Sequence, residues 1–128
     1  MNGSKALLDS NTIIDDSKEI IDINRIIEKY SLVYLSIISY IEIMGYPFEN
    51  ENEREAIINI LKKIPLINLN IEIADKAIEY RTHYKIKLPD ALILATASHL
   101  KADLITSNLN DFKKIDNTVK IIVPLKNL

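Results

Sequence analysis

The stretch LPDALILATASHLKADLIT, residues 88–106, places an apolar helix directly before a short apolar strand. Leu88-Pro89-Asp90 opens the helix, since proline in a first turn lacks only an N–H that has no helical partner there. The helix continues to Leu100 and is apolar nearly all round, which predicts that both of its sides are covered. Residues 103–106 then read as a buried strand. A covered helix followed by a buried strand favours an α/β sheet.

The same alternation of helical and strand patterns runs along the whole chain. Further strands are predicted at 6–8, 32–35, 65–69 and 119–123, and further helices at 17–30, 37–46, 51–63 and 72–84. Asp9-Ser10-Asn11 is predicted as a loop, with Asp16 or Ser17 as the N-cap of the helix that follows. The predicted fold class is α/β, a three-layer α/β/α sandwich with a central, mostly parallel five-stranded sheet. We expect a single domain over residues 1–128, because no linker or repeat divides the chain.

Composition excludes several classes of functional site. The two glycines, Gly3 and Gly45, are too few and too far apart for a P-loop or a dinucleotide-binding fingerprint. The absence of cysteine excludes thiol catalysis, zinc fingers and disulfides, and two histidines exclude a His-rich metal site. A formal net charge of −2 argues against nonspecific binding to many phosphates, which usually requires a basic protein.

The sequence also bears on the compartment. No apolar run approaches the roughly 18 residues that span a bilayer, so we expect no membrane association. The first residues, 1–5, lack the apolar core of a signal peptide. The expected localisation is therefore cytoplasmic.

Four carboxylates are candidates for a catalytic or metal-binding site because of their positions in the predicted strands and helices. Asp9 follows the first strand at its carboxyl end, where open α/β sheets place their ligand crevice. Glu42 lies between Ile41 and Ile43 on or beside a face expected to be buried, Asp90 sits in a helical first turn, and Asp111 follows the fourth strand. Taken singly, each has an ordinary interpretation: a turn residue, an edge glutamate, a partner of the helix dipole and a cap of a short helix.

Taken together, the four acids predict a metal site. The carboxyl ends of parallel strands meet at one edge of a sheet, so these carboxylates are expected to lie close together and to raise one another's pKa values. A divalent cation relieves such repulsion, and a ligand set made only of oxygen selects Mg²⁺ or Mn²⁺. A site of this kind activates water and polarises a phosphoryl oxygen, which is the chemistry of phosphodiester hydrolysis.

Four segments carry a resemblance to a known family. Residues 7–11 (LLDSN), 36–42 (SIISYIE), 88–97 (LPDALILATA) and 104–112 (LITSNLNDF) resemble, in order and spacing, the motifs of PIN domains, and most closely those of VapC-like toxins. The resemblance spans nearly the whole chain. It implies a Mg²⁺- or Mn²⁺-dependent endoribonuclease that acts on RNA, is usually a homodimer and is neutralised by a cognate antitoxin. One departure is Ser107, at a position that is often basic in relatives.

The resemblance also assigns roles to individual residues. It implies that the acidic quartet of Asp9, Glu42, Asp90 and Asp111 is catalytic and binds the metal. Asn11 and Thr106 would be polar supporting residues, and Asn108 a more distant one. The abundance of Ile, Tyr and Met in helices 17–30 and 37–46 independently favours a homodimer, because one small domain has too few inner faces to bury them all.

Two alternatives come from other classes of protein. A phospho-acceptor receiver domain has a similar size and a Mg²⁺-binding acidic pocket, but it needs an acidic pair after the first strand and a lysine after the fifth. Here Asp9 stands alone and Pro124 follows the fifth strand. A PIN-like module that only binds a partner is the other alternative, and the presence of all four acids argues against it.

Overall fold

The computed structural model describes residues 4–17 and 22–124 as a parallel sheet with helices on both faces. The strands are β1 (Lys5–Leu8), β2 (Leu32–Ser36), β3 (Leu66–Ile67), β4 (Asp103–Ile105) and β5 (Ile121–Ile122). The helices are α1 (Ser10–Ser17), α2 (Ile23–Lys29), α3 (Ile37–Met44), α4 (Glu51–Leu61), α5 (Ile71–His83), α6 (Leu88–Leu100) and α7 (Leu109–Phe112). Strand order is β3-β2-β1-β4-β5, and every pairing is parallel. The predicted fold class is confirmed.

The central strand β1 divides the core into two layers. Leu7 points to one face and packs with α5, α6 and Phe112, whereas Ala6 and Leu8 point to the other and pack with α1, α3 and α4. This alternation follows from the two-residue period of a strand. Because β1 is buried on both faces, it reads as a continuous apolar run, as central parallel strands do.

Helix α6 is covered on both sides, as its composition predicted. Six consecutive or nearly consecutive residues are buried between the sheet and α5: Ala91, Ile93, Leu94, Ala95, Thr96 and Ala97. Burying the Thr96 hydroxyl is tolerated because it donates to the Leu92 carbonyl oxygen at 2.7 Å. This packing fixes the helix start, and with it Asp90, against the sheet.

The region after β1 differs from the prediction. Residues 9–11 do not form a loop, because α1 begins at Ser10. Of the helix expected over 17–30, Ser17 instead ends α1, and the described helical part is α2, Ile23–Lys29. Asp22, rather than Asp16 or Ser17, caps α2 by accepting a hydrogen bond from the Asn24 N–H at 3.0 Å. Asp16 lies inside α1 and instead accepts from the Ile23 N–H at 2.8 Å. The expected helical residues 18–21 lie outside the described residues.

Two strands are shorter than predicted. Residues 65–69 give only the two-residue β3, because Asn68 is exposed and Asn70 turns to cap α5 by accepting from the Ile73 N–H at 2.9 Å. The strand expected over 119–123 contributes only β5. None of the helices in the described part combines the length and the apolarity needed to cross a membrane.

Exposed apolar side chains also lie elsewhere than expected. Within the described parts of helices 17–30 and 37–46, Ile41 is the exposed large hydrophobic residue, while Ile23 and Ile43 are buried in the core. Larger exposure occurs on α5, where Ile71 and Ile78 lie seven residues apart and so share one face of the helix. Ile20 and Ile21, which contributed to the expected apolar surface, lie outside the described residues, so the homodimer stays a prediction.

Candidate functional site

The carboxyl ends of the three central strands form the floor of the candidate site. Asp9 directly follows β1, and the register places it beside Ser36 at the end of β2 and Thr106 after β4. The Asp9 N–H donates to the Ile105 carbonyl oxygen at 2.9 Å, so Asp9 continues the sheet ladder for one further residue. The backbone of Asp9 is consequently fixed at the edge of the sheet, and Asp9 is only 6% exposed.

Three hydrogen bonds hold the Asp9 carboxylate. Oδ1 accepts from the Ser10 N–H at 2.8 Å, and Oδ2 accepts from the Thr106 hydroxyl at 2.8 Å and the Asn11 amide at 3.1 Å. These bonds favour the ionised form, yet burial outweighs them and, with the nearby charge of Asp111, raises the pKa of Asp9. The carboxylate is thus oriented by hydrogen bonds, but no positively charged side chain among the described residues contributes to its pKa shift.

Asn11 and Thr106 form a bridge between α1 and the segment after β4. The Ser107 N–H donates to Asn11 Oδ1 at 3.2 Å, and the Asn108 N–H donates to Thr106 Oγ1 at 3.0 Å. Asn11 and Thr106 therefore lie where a supporting role requires them. Asn108 contributes its backbone N–H to this bridge, and its exposed side chain makes no capping hydrogen bond to α7.

Glu42 lies on the outer part of α3 and faces the Asp9 edge. Its side chain is more exposed than its position between Ile41 and Ile43 suggested. Partial burial and the charge of Asp9 nevertheless raise the pKa of Glu42, against a lowering contribution from a hydrogen bond with Ser10. The structure therefore brings Glu42 within electrostatic reach of Asp9.

Asp90 is the most electrostatically disfavoured carboxylate in the group. Burial, followed by repulsion from Asp111, Asp9 and Glu42, raises the pKa of Asp90 to about 6, and Lys87 only partly opposes this. Asp90 does not cap α6, because the N-cap is Lys87. A helix N-terminus favours negative charge and lowers a carboxyl pKa. The opposite direction seen here means that burial and repulsion dominate the helix dipole.

Asp111 is the fourth acid of the group, and it follows β4 in the chain. It lies in the short helix α7, with its N–H donating to the Asn108 carbonyl oxygen at 3.1 Å, and its side chain is exposed. The buried Phe112 next to it anchors α7 in the core. The charge of Asp111 acts on both Asp9 and Asp90, so the four predicted acids are linked electrostatically through Asp9 and Asp90 at one edge of the sheet.

The donor set fits a hard divalent cation, although the side chains are not gathered around one point. Every polar group offered by the four acids, Asn11 and Thr106 is either an oxygen or an amide that carries one, and oxygen is the ligand that Mg²⁺ and Mn²⁺ prefer. Across residues 4–17 and 22–124, no three His, Asp or Glu side chains are grouped closely enough to hold a metal ion. Ligation would therefore require rotation of the outer carboxylates, Glu42 and Asp111, which are exposed and can move.

Sequence reasoning missed one residue of this site. Ser10 contributes its N–H to Asp9 and its side chain to Glu42, and so connects two of the acids. The available signal was its position directly after an aspartate at a strand end. A loop prediction over 9–11 conceals the fact that Ser10 begins a helix whose first N–H groups are available to a carboxylate.

Comparisons with known proteins agree with this architecture. The PIN domain family model matches residues 6–117. A chain from a toxin–antitoxin complex of Klebsiella pneumoniae is 31% identical, with 94% of this chain and 98% of that chain covered and a TM-score of 0.74. VapBC from Salmonella typhimurium, solved bound to DNA, is 19% identical over 92% of this chain and 96% of that chain, with a TM-score of 0.78.

A further structure shows the same fold. VapBC2 from Rickettsia felis, bound to a DNA fragment from its promoter, is 19% identical over 91% of this chain and 96% of that chain, with a TM-score of 0.77. Comparison with curated proteins gives no match. The resemblance seen in the four sequence segments is confirmed, and a receiver domain is excluded. Because the family model covers most of the chain and the Klebsiella chain exceeds 30% identity, the protein belongs to the PIN domain family.

Proposed function

We propose that this PIN domain is a metal-dependent endoribonuclease and the toxin component of a toxin–antitoxin pair. The observation that carries the proposal is the crowding of four carboxylates around Asp90, whose pKa burial and repulsion raise to about 6. A fold has no structural reason to keep four acids in mutual repulsion at one sheet edge. Relief by a cation is the function that such an arrangement serves best.

In this proposal Asp9, Glu42, Asp90 and Asp111 are the catalytic residues and hold Mg²⁺ or Mn²⁺. When bound, the ion supplies Lewis acidity toward a phosphate oxygen and activation of water for hydrolysis. Asp9 is the fixed member, because three hydrogen bonds orient it. Asp90 is held by the packed start of α6, and the exposed Glu42 and Asp111 adjust around them.

The supporting residues act through Asp9. Thr106 and Asn11 fix the direction of its Oδ2 lone pairs, as groups that hold metal ligands commonly do. Asn108 supports Thr106 through its N–H and stands at the N-cap position of α7, the helix that carries Asp111. The whole of residues 1–128 then serves as one nuclease domain.

The proposed partners are an RNA substrate, a cognate antitoxin and a second copy of the chain. The antitoxin is supported by the 31% identical chain, which comes from a toxin–antitoxin complex. In the absence of metal, four carboxylates invite a cationic side chain, so we propose that the antitoxin places an Arg or Lys beside Asp9 and Asp90. A homodimer is supported by the exposed face of α5 that carries Ile71 and Ile78. We place this activity in the cytoplasm.

A cleavage assay tests the function. Purified protein should cut single-stranded RNA with Mg²⁺ or Mn²⁺ and lose the activity in excess EDTA. Asp9→Asn and Asp90→Asn should each abolish cleavage, whereas Asp75→Asn, an exposed aspartate on α5, should cleave as wild type does. Undiminished cleavage in EDTA, or equal activity of all three variants, would contradict the proposal.

A non-catalytic binding module is the second candidate. It is favoured by the separation of the four side chains, which form no group ready to hold a metal in the described residues. This alternative predicts no RNA cleavage under any metal condition by folded wild type, together with undiminished binding of the antitoxin by Asp90→Asn. The cleavage assay therefore decides between the two.

A further inference from the structure

A second concave feature has a lining separate from the carboxylate site. It is a cleft of about 380 Å³ between the C-terminal half of α5 and the segment 114–117, and none of the four acids of the site lines it. The side chains that give it chemical character are Lys76, Glu79, His83, Tyr84, Lys114 and Asn117. Neither the predicted site nor its supporting residues account for this cleft.

The outer wall of the cleft is held rigidly. The Asp116 carboxylate accepts a hydrogen bond from the hydroxyl of Tyr80, which is 4% exposed, and another from the Thr118 N–H at 3.0 Å. Ile115 packs against the core beside this turn, and Lys114 adopts a left-handed backbone with φ of 66°. The cleft is therefore built by the fold rather than opened by loose side chains.

The lining combines three kinds of group. Tyr84, which is 46% exposed, and His83 offer aromatic faces, and Lys76 and Lys114 offer positive charge. Glu79 and Asn117 offer groups that accept or donate hydrogen bonds at an edge. A site for phosphate alone would not carry an acid. A nucleotide can use all three kinds: a cation for the phosphate, a ring for stacking and polar groups for the base edge.

We propose that this cleft binds one nucleotide unit of single-stranded RNA that flanks the bond to be cut. The inference rests on the proposed ribonuclease function and deepens it by assigning a substrate subsite. Lys114 lies three residues after Asp111, and three residues of extended chain span at most about 11 Å, so the cleft begins close to the acidic group. Lys114 contacts the phosphate, Tyr84 stacks on the base, and Glu79 and Asn117 read its edge.

The base edge gives the subsite a consequence for specificity. A carboxylate accepts hydrogen bonds from exocyclic amino groups, and an amide can both donate and accept. Glu79 and Asn117 would therefore favour a base that presents an amino group over one that presents only carbonyl oxygens. The position of cuts in a mixed RNA sequence should reflect this preference.

The test measures binding of a fluorescent single-stranded RNA dodecamer by anisotropy, in the Asp90→Asn background so that the RNA stays intact. Tyr84→Ala removes the stacking ring, and Tyr84→Phe is its matched control because it keeps the ring. Lys114→Gln removes a cleft cation, and Lys113→Gln is the control because Lys113 does not line the cleft. Thermal melts check that each variant folds. Cut positions are mapped by sequencing in the Asp90-containing protein.

Tyr84→Ala should weaken RNA binding about 5- to 150-fold, the range for one base stacked on one aromatic ring, and Tyr84→Phe should stay within about 2-fold. Lys114→Gln should lower the salt dependence of log K by about 0.7–1, as loss of one phosphate contact does, and Lys113→Gln should not. Tyr84→Ala should also change the base preference beside the cut.

Several results would overturn the subsite. These are unchanged RNA binding and cut positions in folded Tyr84→Ala, no RNA binding by the parent protein, or loss of antitoxin binding with RNA binding intact. A free mononucleotide that binds as tightly as the RNA would instead assign the cleft to a small ligand, and would also refute it. The two proposals fail separately: an inactive wild type whose RNA binding still depends on Tyr84 refutes the nuclease alone, and an active wild type indifferent to Tyr84 refutes the subsite alone.

Discussion

Asp90 and Asp116 are both partly buried, yet their surroundings shift the carboxyl pKa in opposite directions. At the carboxyl edge of the sheet, burial and repulsion from three other acids raise the pKa of Asp90 to about 6. In the 116–118 turn, burial alone would raise the pKa of Asp116, but hydrogen bonds from Thr118 and Tyr80, with the charge of Lys76, lower it.

The difference separates a structural carboxylate, Asp116, from Asp90, the carboxylate for which we propose a catalytic role. The Asp116 carboxylate is stabilised by hydrogen bonds from within the fold, and these same bonds fix the turn that follows α7. The neighbours of Asp90 are other acids, which repel its charge. Its negative charge could therefore be neutralised by a cation from outside the chain. Burial does not distinguish these two aspartates, whereas the sign of their surroundings does.

The same substitution in both regions should affect catalysis differently. Thr106→Val removes a hydroxyl that donates to Asp9, and Thr118→Val removes one that donates to Asp116. Thr106→Val should reduce RNA cleavage about 10- to 100-fold, the usual cost of losing a group that orients a metal ligand. Thr118→Val should leave the cleavage rate within about 2-fold. Initial cleavage rates of the two variants under saturating Mg²⁺ provide the measurement. Equal rates would contradict the claim that only the Asp9 region serves catalysis.

The stability of the 116–118 turn should depend on its hydrogen bond from Tyr80. Tyr80→Phe leaves the core volume nearly unchanged but removes one of the donors to the Asp116 carboxylate, the donor to Oδ2. We expect the free energy of unfolding to fall by about 1–3 kcal/mol, as for a lost hydrogen bond to a charged group. Urea melts of Tyr80→Phe and of the exposed control Tyr84→Phe provide the measurement. Equal midpoints for these two variants would show that the Tyr80 bond contributes nothing.

Asparagine should have opposite effects at the two aspartates. Without metal at pH 7, Asp90→Asn removes a repelled charge and should stabilise the protein by about 0.5–2 kcal/mol, whereas Asp116→Asn should destabilise it. The pKa of Asp90 is raised, so its contribution to stability is present below its unfolded pKa near 4 and is lost as the pH rises through about 6. The gain from Asp90→Asn should therefore grow over that interval.

Urea melts in EDTA between pH 4 and 8 check this sign for Asp90. For Asp116 the pKa is lowered, so its contribution is present above the unfolded pKa and is lost as the pH falls through the folded one. Mg²⁺ should stabilise wild type by mass action and Asp90→Asn much less. Destabilisation by Asp90→Asn in EDTA, with no shift from Mg²⁺ in either protein, would mean that Asp90 serves only its helix.

Much of the fold could be predicted from local patterns, because the most deeply buried elements have distinctive compositions. The continuous apolar run of β1 and the all-round apolar surface of α6 are typical of elements covered on both faces, and Asp9 had to follow β1 at the sheet edge. The start of α1 could not be read in the same way. It depends on tertiary partners, such as the Thr12 hydroxyl that donates to the Ile105 carbonyl oxygen at 3.1 Å across 93 residues.

The site was predictable in composition and less so in detail. Residue type, position in the predicted strands and helices, and the family resemblance led to the four candidate acids. None of these indicates that Asn108 contributes its N–H to Thr106. The cleft beside α5 carried no local signal, since its wall depends on Tyr80 meeting Asp116 across 36 residues. Pairings of that separation are set by packing, which a pattern of neighbouring residues does not record.

The titration of the Asp90 side-chain carboxyl, followed by carbon NMR in metal-free protein, tests most directly whether the four acids act as one group. We predict a pKa near 6 that falls toward the ordinary value in Asp111→Asn, because the largest repelling charge is removed. The Asp116 carboxyl in the same spectra should titrate below its ordinary value. An Asp90 carboxyl that titrates near 4 and is unaffected by Asp111→Asn would contradict the claim that the four acids act as one group.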